Sequence, residues 1–154
     1  MLIASLLANK NNIHCNDETI SSKKRLIETL SHYLAANTPA ITADTIFQAL
    51  LERERLGSTG LGRGVAIPHA RVPGITRTIA SLITLANPIN YESTDAQGVD
   101  IVFGLLVPEE NNEYHLNQLA RLATLFRDSN VCQTIRETND PQQLFDFLLA
   151  IDND

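Results

Sequence analysis

The run from Val99 to Val107 reads Val-Asp-Ile-Val-Phe-Gly-Leu-Leu-Val and is apolar at nearly every position. A strand with one face in water alternates apolar and polar residues, whereas a strand covered on both faces carries a continuous apolar run. Pro108 follows and marks the end of the run. A chain that contains such a strand needs a packed layer on each side of its sheet.

Helical periodicity appears on both sides of this strand in the sequence. Apolar residues recur at helical spacing in five segments, namely 22–36, 43–56, 112–127, 130–136 and the residues after Asp140. Asp140, Pro141 and Gln143 form a helix start signal, with an N-cap, a proline at the first position and a glutamine at the third. Gly57 is placed to end the second helix as a left-handed C-cap.

Two shorter segments predict further strands. Residues 65–67 are apolar, and residues 78–85 are rich in strand-forming side chains and are followed by Pro88. The first ten residues predict a short helix or strand. Helices on both sides of a run of strands predict an α/β fold with a mixed central β-sheet flanked by helices on both faces, in a single domain that spans residues 1–154.

Composition excludes several classes of function. The 154 residues carry a net charge of −6 and have a pI near 5.1, which argues against nucleic acid as the main partner. The longest apolar runs are too short for a membrane span. Cys15 and Cys132 are isolated in the sequence, which predicts two reduced thiols in a cytoplasmic protein and no metal site.

The glycine-rich segment from Gly57 to Arg71 delivers a single histidine, His69. Residues 55–91 contain no Asp or Glu, although the chain as a whole is acidic. The same stretch contains four arginines, Arg55, Arg63, Arg71 and Arg77. A positive field around a histidine in a loop favours an anion as the ligand, and a phosphoryl group is the obvious candidate.

A nucleotide site is the first alternative for this segment. Gly60, Gly62 and Gly64 do not form a P-loop, which needs a lysine after its last glycine, and they do not form the dinucleotide fingerprint. The segment also leads into a strand instead of leaving one. The glycines remain able to bring backbone N–H groups close to an anion.

His69 follows Pro68, which restricts the backbone and presents the histidine on a stiff stem. Neutral imidazole is a nucleophile at cytosolic pH, and phosphoryl transfer needs positioning and positive charge more than covalent help. The alternative is a hydrogen-bonded packing histidine. The glycine segment, the absence of acids and Pro68 together favour an exposed nucleophile.

The segment from Arg53 to His69 resembles the active-site signature of the enzyme IIA domains of the bacterial phosphotransferase system. The resemblance is to the mannitol/fructose type and, within it, to the nitrogen-regulatory branch. It consists of an Arg-Glu pair, a Thr-Gly-x-Gly-x-Gly stretch and Ala-Ile-Pro-His, and it extends over nearly the whole chain.

The resemblance implies a role for individual residues. It makes His69 the phosphohistidine nucleophile, through Nε2, and His115 an assisting histidine that would otherwise be interpreted as a surface residue near a helix start. Arg53, Ser58 and Thr59 are implied to bind the phosphoryl group. Arg63 replaces the Asn that is common in the nitrogen branch and is expected to add charge near the site. Arg55 and Arg71 are interpreted as surface charges that serve docking.

The resemblance also implies partners. The donor is expected to be an HPr-like phosphocarrier protein, and no metal or organic cofactor is implied. In the nitrogen-regulatory branch the phosphorylation state would control targets such as potassium transport or sensor kinase proteins. The alternatives are a sugar-specific enzyme IIA that passes phosphate to a separate IIB domain for fructose or mannitol uptake, and a docking module that carries no phosphate.

Overall fold

The computed structural model describes residues 3–110 and 112–152. Within these ranges six helices and six strands follow one another, with a short 3-10 turn at Lys10–Asn12. Their bounds, in chain order, are α1 Ile3–Leu7, β1 Ile13–Asp17, α2 Lys23–Ala35, α3 Ala43–Leu56, β2 Gly60–Gly62, β3 Val65–Ala66, β4 His69–Val72, β5 Ile79–Ile89, β6 Val99–Pro108, α4 Asn112–Leu125, α5 Ser129–Glu137 and α6 Pro141–Asp152.

Side-chain caps define where the helices begin. The hydroxyl oxygens of Ser22 and Thr42 accept hydrogen bonds from backbone N–H groups three residues later, and so start α2 and α3. Asp128 caps α5 in the same manner, and Asp140 accepts from the N–H of Gln143 as predicted for the last helix. Of the helices in the described ranges, none combines the length and the hydrophobicity that a membrane crossing requires.

The sheet is mixed, with the strand order β1-β5-β6-β3-β2, and β4 also pairs with β6. Strands β5 and β6 are antiparallel, while β1 runs parallel to β5 and both β3 and β4 run parallel to β6. Val65 pairs with Ile101 near the start of β6, and His69 pairs with Leu105 further along it. Strands β3 and β4 of the glycine-rich segment therefore pair with successive parts of the same central strand.

Strand β6 separates two hydrophobic cores. Ile101, Phe103, Leu105 and Val107 face a core that includes α1, α5 and α6, while Val99, Val102 and Leu106 face a second core with α2 and α3. Gly104 lies where a Cβ atom would stand 2.5 Å from the Leu30 side chain, so α2 packs closely on the sheet. The prediction of a strand covered on both faces, in a mixed sheet between helical layers, is confirmed.

Two local predictions were wrong. Gly57 ends α3 with φ 152° and ψ 149°, which is an extended backbone with positive φ and not the left-handed cap conformation. Strand β5 does not end before Pro88 but continues to Ile89. Its pairing with β6 is irregular between Thr84 and Ile89, so the missing N–H of Pro88 falls where the regular pairing is already interrupted. Strands β1, β2 and β4 were not predicted.

Candidate functional site

A cavity of about 670 Å³ opens between the C-terminal end of α3, strand β4, the end of β6 and helix α4. Three of the residues that the sequence singled out, His69, Arg53 and His115, line this cavity together. The remaining lining residues are Ala49, Glu52, Leu56, Ala70, Arg71, Val107, Leu116 and Leu119. We call it the His69 cavity.

The imidazole of His69 is held by the backbone of its own segment. Its Nδ1 atom lies 2.8 Å from the carbonyl oxygen of Ile67. A carbonyl oxygen only accepts hydrogen bonds, so Nδ1 carries the proton and donates it. The lone pair of the neutral ring is therefore on Nε2, which is the nitrogen available to a ligand in the cavity.

The surroundings of His69 favour its neutral form. Burial is the main cause that lowers the pKa of the imidazole below its ordinary value of 6.5, and the positive charges of Arg53 and Arg71 lower it further. The hydrogen bond to Ile67 and the carboxylate of Glu54 act in the opposite direction without reversing the shift. An unprotonated Nε2 is the form that attacks phosphorus.

The prediction of an exposed histidine in a loop needs correction. His69 is half-buried and is the first residue of β4. Its backbone is held by the pairing of β4 with β6, opposite Leu105. The rigidity that we expected from Pro68 comes from this strand pairing as well.

Two arginines bring positive charge to the cavity. Arg53, in the last turn of α3, donates from Nη1 to the carbonyl oxygen of Gly57 at 2.9 Å. Arg71 stands two residues after His69 on β4 and therefore projects to the same side of the strand. We interpreted Arg71 only as a docking charge. If residues 69–72 had been predicted as a strand, Arg71 would have been placed beside His69 on one side of that strand.

His115 is not the surface residue that its position near a helix start suggested. Its exposed fraction is 6%, and it lies on α4 with Nδ1 3.3 Å from Oε1 of Gln118 and 3.4 Å from Oγ1 of Thr78. Burial of a helix residue depends on what packs over it, and the local sequence carries little of that information. His115 lies on the wall of the His69 cavity, and its assisting role remains a prediction.

Ser58 and Thr59 follow the C-terminal end of α3 and are not among the described residues that line the cavity. The Ser58 hydroxyl oxygen accepts from the N–H of Gly60 at 3.1 Å. Thr59 is 5% exposed, and its hydroxyl is bonded to the carboxylate of Glu54 and, at 2.9 Å, to the hydroxyl of Tyr91. Their roles in phosphate binding remain predictions.

Glu54 is the centre of a buried polar network that the sequence analysis did not identify. Its carboxylate forms an ion pair with Lys23 at 2.9 Å and accepts from the Tyr91 hydroxyl at 3.0 Å. The Lys23 ammonium also lies 4.5 Å from the centroid of the Tyr91 ring. The network joins α2, α3 and the residues after β5, and so holds the helix end that carries Arg53. The sequence feature that could have pointed to Glu54 was the Arg-Glu pair of the signature.

Gly60, Gly62 and Gly64 are not among the described residues that line the His69 cavity, contrary to our expectation. Gly60 packs against Ser93, and a Cβ atom on Gly64 would stand 2.5 Å from Nη2 of Arg136. Arg63 lies in the same region, where its N–H donates to Asp95 at 2.9 Å and its guanidinium donates to the carbonyl of Arg127 at 3.3 Å. Arg63 is thus not at the site, because β3 pairs with the opposite end of β6.

The charge around the cavity differs from that of the acid-free stretch of sequence. Of the four arginines in that stretch, only Arg71 is among the described residues that line the cavity, while Glu52 from α3 adds an acid to the wall. The positive charge next to His69 is therefore that of Arg53 and Arg71.

Known families and proteins resemble this chain over most of its length. The family model described as "Phosphoenolpyruvate-dependent sugar phosphotransferase system, EIIA 2" matches residues 6–151. A nitrogen regulatory protein of Bradyrhizobium diazoefficiens is 39% identical over 129 residues, which cover 84% of this chain and 84% of that protein. A nitrogen regulatory protein of Pseudomonas aeruginosa is 36% identical over 132 residues, which cover 86% of each chain.

The fold has a close counterpart among solved structures. The crystal structure of the nitrogen regulatory protein IIA-Ntr from Neisseria meningitidis superposes with a TM-score of 0.87 at 32% sequence identity. The superposition covers 94% of this chain and 97% of that one.

Proposed function

The chain belongs to the EIIA 2 family of the phosphoenolpyruvate-dependent sugar phosphotransferase system, and on that premise we propose that it carries a phosphoryl group on Nε2 of His69. One observation supports this atom above the others. The bond from Nδ1 to the Ile67 carbonyl leaves Nε2 as the nitrogen with a free lone pair, in a cavity that two arginines and a second histidine share.

The transfer that we propose needs no cofactor. The bond between phosphorus and the imidazole nitrogen of a donor phosphohistidine breaks, and a bond forms between phosphorus and Nε2 of His69. The donor ring leaves with its lone pair as a neutral imidazole, and His69 keeps its proton on Nδ1, so the protons balance. Arg53 and Arg71 stabilise the negative charge of the phosphoryl oxygens, and His115 contacts them from α4.

An HPr-like phosphocarrier is the donor that we propose. The wall of the cavity supports docking of a folded protein, because Leu56 and Leu116 are 85% and 58% exposed and flank His69. Exposed apolar side chains with charges among them are typical of a transient protein interface. The two free cysteines agree with a reducing compartment, and we place the protein in the cytoplasm.

The regulatory branch is the one that we propose for this chain. Relatives 39% and 36% identical carry the name nitrogen regulatory protein. On this proposal the phosphorylation state of His69 changes which regulatory partners bind, and potassium transport or sensor kinase proteins are the targets to examine. The phosphoryl group adds close to two negative charges at the cavity, which is a large local change for any partner that docks there.

A phosphotransfer assay tests the proposal. The protein is mixed with enzyme I, an HPr-like carrier and phosphoenolpyruvate, and its intact mass is measured. We expect the mass of one acid-labile phosphoryl group on the wild type and on the control His32→Ala, whose histidine is exposed on α2, and none on His69→Ala. Phosphate that persists on His69→Ala, or that is absent from the wild type with both sugar-type and nitrogen-type carriers, would refute the proposal.

A further inference from the structure

Gln118 lies one helical turn after His115 on α4 and is bonded to it. The Oε1 atom of Gln118 is 3.3 Å from Nδ1 of His115 and 3.4 Å from Oγ1 of Thr78. The amide nitrogen of Gln118 donates to the hydroxyl of Tyr114 at 3.1 Å. The three residues Thr78, His115 and Gln118 thus form a polar cluster between the start of β5 and helix α4.

The hydrogen-bonding capacity of these groups determines where the His115 proton lies. An amide oxygen only accepts, so the contact between Gln118 Oε1 and His115 Nδ1 requires a proton on Nδ1. Thr78 uses its own proton on Gln118 Oε1 and presents only lone pairs to Nδ1. The neutral ring of His115 is therefore the Nδ1–H tautomer, as in His69.

Because His115 is buried, the hydrogen bonds of this cluster determine which of its ring nitrogens carries the proton. His115 is 6% exposed, and its Nδ1 atom is bonded to protein groups and not to bulk water. Within the described ranges, every hydrogen bond of the His115 ring is made through Nδ1. Neither Thr78 nor Gln118 is among the described residues that line the His69 cavity, and Nε2 is the ring nitrogen that neither of them binds.

We propose that Gln118, supported by Thr78, is a positioning residue that holds His115 in the Nδ1–H tautomer and reserves Nε2 of His115 for the phosphoryl group on His69. The use of Nε2 rests on the proposed function. A phosphoryl oxygen only accepts hydrogen bonds, so Nε2 of His115 takes up one proton from solvent when the phosphoryl group arrives and then donates it. The Nδ1–H bond to Gln118 remains in the resulting cationic ring.

Long-range ¹H–¹⁵N NMR of the histidine rings tests the tautomer in the unphosphorylated protein, whether or not phosphotransfer occurs. The spectra are recorded at mildly alkaline pH, and the His115 signals are assigned by their loss in His115→Ala. We expect the wild type to show Nδ1–H, Gln118→Met to shift His115 toward Nε2–H, and Gln118→Glu, which keeps an accepting oxygen, to retain Nδ1–H. Gln142→Met, at an exposed glutamine on α6, serves as the matched control and should leave His115 unchanged.

An Nε2–H tautomer in the wild type would overturn the proposal, since it would mean that Gln118 presents its NH₂ group to the ring. An unchanged tautomer in Gln118→Met would overturn it as well. In the phosphorylated protein both ring nitrogens of His115 should carry protons, and a neutral ring there would refute the proton uptake.

Transfer rates supply the functional readout. We expect Gln118→Met to slow phosphoryl transfer to His69 roughly tenfold, the lower end of the range for residues that act through another, and Gln118→Glu to recover most of the rate. Equal slowing in both variants would reduce Gln118 to a packing role. If the wild type accepts no phosphate while His115 shows the expected tautomer, the proposed function fails and the assignment of Gln118 stands.

Discussion

The Nδ1 atom of His69 lies 2.8 Å from the carbonyl oxygen of Ile67, two residues earlier in the chain. Pro68 separates the two residues and restricts the backbone between them. The partner of the ring is therefore a backbone atom next to the paired segment β4, and no side-chain substitution removes it. The orientation of the ring and the position of its proton are properties of the local backbone.

The titration of His69 should reflect its surroundings. Burial, Arg53 and Arg71 lower the pKa of the imidazole below 6.5, so an NMR titration of the ring should have its midpoint below that value. Arg71→Gln removes one of the charges and should raise the midpoint toward 6.5. Arg77→Gln, at an exposed arginine outside the set of described cavity residues, is the control. A wild-type midpoint at or above 6.5 would contradict the prediction.

The same shift predicts how stability depends on pH. The folded state binds the His69 proton less readily than the unfolded chain does. The contribution of neutral His69 to the unfolding free energy is therefore complete above pH 6.5. It is lost as the pH falls from 6.5 through the lower pKa of the folded state. Urea denaturation of the wild type and His69→Gln over this interval measures it. The difference between their unfolding free energies should change with pH only there.

Arg53 should contribute to transfer and Arg55 should not. Arg53 lines the His69 cavity, while Arg55 stands two residues later on α3, exposed and outside the described lining. We expect Arg53→Gln to slow phosphoryl transfer roughly a hundredfold, the scale for loss of one donor to a developing anion, and Arg55→Gln to change the rate little. Single-turnover transfer from a phosphorylated carrier measures both. Equal rates for the two variants would exclude Arg53 from the site.

Lys23 should stabilise the fold through Glu54. The Glu54 side chain is 6% exposed and the Lys23 side chain 19%, so the ion pair is largely shielded from water. Lys23→Met should lower the unfolding free energy by about 2 kcal/mol, because a buried carboxylate loses its charged partner while its bonds to Thr59 and Tyr91 remain. Lys24→Met, at the exposed neighbouring lysine, should have almost no effect. Equal unfolding free energies for the two variants in urea would show that the pair contributes nothing.

A comparison of alanine substitutions at Gly64 and Gly74 distinguishes the cost of backbone strain from the cost of side-chain crowding. Their φ values are nearly equal, at 87° and 88°, but a Cβ atom meets Arg136 and Asp100 at Gly64 and has open space at Gly74. Gly74→Ala should cost about 1 kcal/mol of stability from strain alone. Gly64→Ala should cost about 2 kcal/mol, because the Arg136 side chain must also move.

The Gly64→Ala variant also tests the location of the site. Gly64 lies outside the described lining of the His69 cavity, so Gly64→Ala should retain the transfer rate of the wild type at a temperature where it is folded. A large loss of transfer with folding intact would return the glycine segment to the phosphoryl site.

The sequence predicted those helices and strands that depend on residues close together in the chain. Helices α2, α3 and α6 begin next to side chains that cap them, and an N-cap bond joins groups only three residues apart. Strand β6 was predicted within one residue, since burial on both faces leaves a continuous apolar run. Strands β1 and β4 are short and pair with strands distant in sequence, and β2 consists of only three residues, two of them glycine, so their own residues carried too little signal.

The sequence by itself determined helices α2 to α6, the central strand, the family and the histidine that we propose as the phosphoryl acceptor. Each depends on a pattern within one continuous segment. Only the tertiary structure decided which groups surround His69. Pairing of β4 with the end of β6 brings Arg71 to the cavity and leaves Arg63 at the other end, and packing of α4 buries His115 against Thr78. These contacts join residues dozens of positions apart, and such contacts depend on how the layers pack and not on neighbours in the chain.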